Sequence, residues 1–93
     1  AEGGITIILS AMKFHLDNAN VQKYGCQALC NLANNNDRNQ LRISNAGGKA
    51  DIESAMRKHS YNAGVQENGN EALSIMTQRG KWWSSFNLFS GMT

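Results

Sequence analysis

The chain repeats itself. Residues 1–33, AEGGITIILSAMKFHLDNANVQKYGCQALCNLA, lie without a gap over residues 45–77, NAGGKADIESAMRKHSYNAGVQENGNEALSIMT. Gly3/Gly47, Gly4/Gly48, Ser10/Ser54, Ala11/Ala55, Met12/Met56 and His15/His59 are identical pairs. So are Asn18/Asn62, Ala19/Ala63, Val21/Val65, Gln22/Gln66, Gly25/Gly69, Ala28/Ala72 and Leu29/Leu73. More than a third of the 33 positions agree at an offset of 44. A chain that uses one pattern twice builds one unit twice, and neither unit covers its apolar face alone.

The pattern inside the unit is helical. Ile5, Ile8, Leu9 and Met12 fall at i, i+3, i+4 and i+7, the spacing of one helix face. Ile7 and Ala11 are expected to widen that face. Val21, Gly25, Ala28, Leu29 and Leu32 trace a second stripe, copied by Val65, Gly69, Ala72, Leu73 and Met76. Between the copies, NDRNQLRISNA predicts a shorter helix carrying Leu41 and Ile43. NNND before it offers an N-cap, and NAGG after it is a helix stop. LDNAN and SYNAG are the turns inside the two copies. Each unit therefore reads as short helix, turn, helix, turn, longer helix. No strand is expected, because the one β-branched run, ITII, keeps helical register.

A period of 44 falls within the roughly 40–47 residues of two- and three-helix solenoid repeats. At this point the residues resemble the armadillo (ARM) repeat family. NDRNQLRISNAGG resembles its first helix and Gly-Gly exit, GGITIILSAM its second helix, and NVQKYGCQALCNLANN its third. The resemblance covers about residues 1 to 79. It implies an all-α, armadillo-like right-handed α-solenoid of stacked three-helix repeats. Residues 1–38 would be helices two and three of a first unit, and 39–79 a second unit. It also implies a scaffold for protein–protein interaction rather than an enzyme, with third helices lining a concave groove that holds a partner peptide or protein.

The family's groove Trp and Asn fall at Gln27 and Asn31 in the first copy, and at Glu71 and Ile75 in the second. One Asn remains and both Trp are missing, which argues against a clamp for basic nuclear-localisation peptides. An Asn still offers donors and an acceptor to a peptide backbone. The groove-lining residues expected are Tyr24, Gln27, Asn31, Asn34, Asn68 and Glu71. The second copy is more polar in its second helix, where Ile5, Ile7 and Leu9 become Lys49, Asp51 and Glu53. A terminal repeat turns one face to water, so the second copy is expected near the C-terminal end of an array.

Composition narrows the alternatives. Nine basic and seven acidic residues give a net charge of +2, and the basic residues are scattered, so neither nucleic acid nor membrane is expected as a partner. Two cysteines do not make a disulfide framework. No segment reads as a signal peptide or a membrane span. An intracellular protein, cytoplasmic or nuclear, is the expectation. The start at AEGG, without Met, suggests a piece of a longer array, whose open repeat ends would favour self-association.

Cys26 and Cys30 stand one helical turn apart, and with His15 and His59 they form a thinkable metal or thiol set. Their repeat equivalents are Asn70 and Ser74, so the pair reads instead as small apolar packing, and no metal or cofactor is expected. The histidines close the second helices, where a donor suits a helix C-terminus. No catalytic motif or phosphate loop is visible. The tail GKWWSSFNLFSGMT breaks the repeat, and its aromatics Trp82, Trp83, Phe86 and Phe89 read three ways. They could cap the last unit, drive partner binding or self-assembly, or be foreign to the native chain.

Overall fold

The computed structural model describes residues 2–78. Among these residues five α-helices run in order: α1 Glu2–Phe14, α2 Ala19–Ala33, α3 Asp37–Asn45, α4 Gly48–Lys58 and α5 Ala63–Gln78. Among the described residues there is no strand. The aromatic tail from residue 80 onward, with Trp82, Trp83, Phe86 and Phe89, lies outside the described residues.

The helices start where the sequence offers caps. Asn18 Oδ1 accepts from Val21 N–H at 3.1 Å, and Asn62 Oδ1 accepts from Val65 N–H at 3.0 Å. Asn36 Oδ1 accepts from Asn39 N–H at 2.9 Å and opens α3. Each cap satisfies a donor that the first helical turn leaves unpaired. α3 stops at Ala46, and Gly47 turns the chain with a φ of 83°, a conformation that costs a glycine nothing sterically. The α2–α3 turn needs a left-handed residue too. Asn35 supplies it at a φ of 55°, as asparagine does more readily than other side-chain-bearing residues.

The 44-residue step has a three-dimensional meaning: the repeated residues are those that hold a hairpin together. Gln22 Nε2 donates to Met12 O at 3.1 Å and His15 O at 2.8 Å. Gln66 Nε2 donates to Met56 O at 2.8 Å and His59 O at 3.2 Å. In both copies a glutamine side chain thus ties the longer helix to the last carbonyls of the helix before it. Met12 lies directly over Gly25, where a Cβ would sit 2.7 Å from its Cγ. Met56 lies over Gly69 in the same way, at 2.6 Å. Glycine lets the two helices of each pair approach over a methionine.

The core lies between the two pairs. It gathers Ile5, Leu9 and Met12 from α1, Cys26, Leu29, Cys30 and Ala33 from α2, and Ile43 from α3. Ile52 and Ala55 from α4, and Val65, Ala72 and Met76 from α5, complete it. α2 and α5 share the most extensive helix contact, while α3 touches all four other helices. The buried face of α1 is narrower than its apolar pattern suggests. Ile7 is 70% exposed, because two residues from Ile5 is about 200° around a helix of 3.6 residues per turn. Leu41 on α3 is also exposed, and that helix is buried through Ile43 together with Asn39 and Gln40, whose side-chain amides donate to Leu32 O and Ala33 O at the end of α2.

Candidate partner-binding surface

The surface is built on the longer helices. On α2, Asn20, Tyr24, Gln27 and Asn31 recur at i, i+4, i+7 and i+11, and all four are exposed. This stripe lies across the helix from buried Gln22, Cys26 and Leu29. Lys23 Nζ sits 5.2 Å from the Tyr24 ring centroid, a cation–π distance. Asn34 is the C-cap of α2, its backbone N–H donating to Cys30 O at 2.9 Å while the residue stays exposed.

The equivalent stripe on α5 is Gly64, Asn68, Glu71 and Ile75, and it is not free in the same way. Asn68 is half-buried, and its Nδ2 donates to Lys23 O at 3.0 Å. Cys30 Sγ points at Asn68 O from 4.0 Å. A Cβ on Gly64 would meet the Lys23 side chain at 2.8 Å. α5 therefore lays this stripe against α2, and Asn68 belongs to the seam between the helices instead of lining an open groove. The reason is geometric: α5 has α2 beside it, and among the described residues nothing stands beside α2 on that side. Glu71 is exposed, with its carboxylate beside Cys30. Gln27 and Glu71 are repeat equivalents that stay exposed in both copies, on the two helices that pack most closely.

Cys26 and Cys30 are free and buried. Burial pushes the Cys26 thiol up to about 11, with Cys30 adding to it. Burial, followed by the Glu71 carboxylate, pushes the Cys30 thiol up to about 11. Both stay protonated at neutral pH, when the thiolate is what attacks and binds metal. Among the described residues, no three His, Cys, Asp or Glu side chains gather where they could hold a metal ion. His59 serves a neighbouring turn instead of its own helix end: its Nε2 lies 2.7 Å from Leu16 O, and a carbonyl only accepts, so Nε2 carries the proton. His15 is exposed.

Two ion pairs also cross from the first hairpin to α4. Lys13 Nζ lies 3.4 Å from Asp51 Oδ2, and Lys58 Nζ lies 3.0 Å from Asp17 Oδ1. Sequence reasoning missed these, together with the carbonyl ties of Gln22 and Gln66. The glutamines had a signal, since they are identical across the repeat. The ion pairs had none, since their partners differ between copies.

No helix among the described residues is long and apolar enough to cross a membrane. Compared with protein-family models, curated proteins and solved structures, the chain has no match in any of the three.

Proposed function

We propose that the chain forms an armadillo-like right-handed solenoid and works as a non-catalytic scaffold. A protein or peptide partner lies across α2 and α5, and the work is done inside the cell, in cytoplasm or nucleus. The observation that carries this reading is the pair Gln27 and Glu71. A position that stays polar and exposed in successive units, on adjacent helices, makes a continuous surface from one unit to the next. A bound chain laid across those helices would meet one such side chain per unit, with Asn31 and Asn34 further along α2. Polar side chains of this kind hydrogen-bond a backbone without demanding one side-chain sequence.

The test is a displayed peptide library panned on the 93-residue chain. Peptides that bind are expected to lose about tenfold in affinity, about 1.4 kcal/mol, in a Gln27→Arg, Glu71→Arg double variant. An Ile7→Lys variant, altered on α1, should keep its affinity. The proposal fails if no peptide is enriched, or if the double variant binds every peptide as well as the parent.

A further inference from the structure

On one side of each copy, equivalent residues are buried more deeply in the second copy than in the first. Ile52, Ala55 and Val65 are fully buried, whereas Ile8, Ala11 and Val21 at the same positions are only half-buried. The second copy is covered on this side by α1, α2 and α3, which pack on α4 and α5. The same side of α1–α2 carries no cover among the described residues. Three residues there are exposed and apolar or aromatic: Ile7 at 70%, Tyr24 at 57% and Phe14 at 86%. Their equivalents are polar and engaged across the seam. Asp51 meets Lys13, Asn68 meets the Lys23 carbonyl, and Lys58 meets Asp17.

The opposite side of the second copy is closed by substitution. The first copy holds the second with Ile5, Leu9, Cys26, Cys30 and Ala33, all buried. The equivalents on α4 and α5 are Lys49, Glu53, Asn70, Ser74 and Thr77, and all are exposed. One end of the stack has been made polar, and the other has been made more apolar than the internal seam.

We propose that the open side of α1–α2 is a docking face for a further helical unit built like α1–α3. That unit differs from α1–α3 in one defined respect. It presents apolar surface opposite Ile7, Phe14 and Tyr24, where α1–α3 presents the Lys13 ammonium, the Asp17 carboxylate and the Lys23 carbonyl. An ammonium or carboxylate desolvated against Ile7 or Phe14 would have no partner, which costs more than the contact returns. The occupant is identified by the internal seam, since the same face of α4–α5 is already filled by a unit of this shape. A second copy docking through its α4–α5 end is disfavoured, because that end would bring Glu53, Asn70 and Ser74 against the apolar face. The inference rests on the repeat geometry alone, and stands whether or not a partner lies across Gln27 and Glu71.

The experiment places residues 1–44 ahead of the full 93-residue chain, which keeps the 44-residue register. A second version of this extended chain carries Lys13→Leu and Asp17→Leu in the added unit only. Urea unfolding of both is compared with that of the parent chain. The expected result is a midpoint raised by about 1 M in the leucine version, the scale typical slopes of small proteins imply, and little change without the leucines. Ile7→Lys and Tyr24→Lys in the original unit should cancel the rise, yet shift the parent's own midpoint little. Equal midpoints for parent and both extended chains would overturn the proposal, as would a larger rise without the leucines. So would a 93-residue chain that dimerises in light scattering and returns to monomer on Ile7→Lys, since the occupant would then be a second copy.

Discussion

Gln22 is completely buried, and its amide nitrogen bridges two carbonyls at the end of α1. Its amide orientation follows from that, because turning Oε1 toward Met12 O and His15 O would oppose acceptor to acceptor. Gln22→Ala leaves both carbonyls without this donor and is expected to cost about 1–3 kcal/mol in urea unfolding. Gln66→Ala removes the same two bonds at a half-buried site and should cost less. The cysteines act at this scale too. A thiol whose folded value is raised from 9.0 to about 11 contributes stability that is fully present below pH 9. That contribution is lost as pH rises through the folded value, because only the unfolded chain ionises freely there. Thermal melts between pH 8.5 and 11 should therefore fall more steeply for the parent than for a Cys26→Ala, Cys30→Ala variant. Parallel slopes would mean that the thiols titrate alike in both states.

At the scale of the element, each hairpin is set by a methionine over a glycine. Alanine in place of Gly69 gains about 1 kcal/mol of helix propensity, but its Cβ would stand 2.6 Å from both Met56 Cγ and Sδ. Overpacking of that kind costs about 1–3 kcal/mol, so Gly69→Ala is expected to destabilise the parent. In a Met56→Ala background the clash disappears, and the same substitution should be neutral or stabilising. A double-mutant cycle reads this directly, and additive effects would show that the close approach does not matter. The turn before α4 behaves differently. Gly47 has open space around its Cβ position and a φ of 83°, so Gly47→Ala meets only backbone strain, about 1–2 kcal/mol.

At the scale of the molecule, stability is centred on the α2–α5 seam. α2 is flanked by α1, α3 and α5, and α5 by α4 and α2. Hydrogen exchange should find the slowest amides in the middle of α2 and α5, and faster exchange in the first turn of α1, where Gly3 and Gly4 are exposed and glycine favours opening. Protection spread evenly over all five helices would contradict a two-pair arrangement. The ion pairs at the edges of the seam are a smaller matter. Lys58 and Asp17 are well exposed, and exposed pairs of this kind contribute about 0–1 kcal/mol.

Much of the fold is legible in the residues themselves. Five helices, their turns and their caps follow from the 44-residue repeat, the 3.6-residue periodicity and the placement of Asn and Gly, because capping and amphipathicity are local. Cys26 and Cys30 read correctly as packing for a related reason: their equivalents are Asn70 and Ser74, and a shared site would have kept them. The tertiary structure decided the rest. Ile7 and Ala11 continue an apolar pattern, yet only the neighbouring helices determine which apolar positions are covered. Tyr24 and Asn68 hold the same place in two copies of one motif, yet one faces outward and the other lies in a seam. That difference comes from what stands beside each helix, which is a property of the assembled units and is not encoded at either residue.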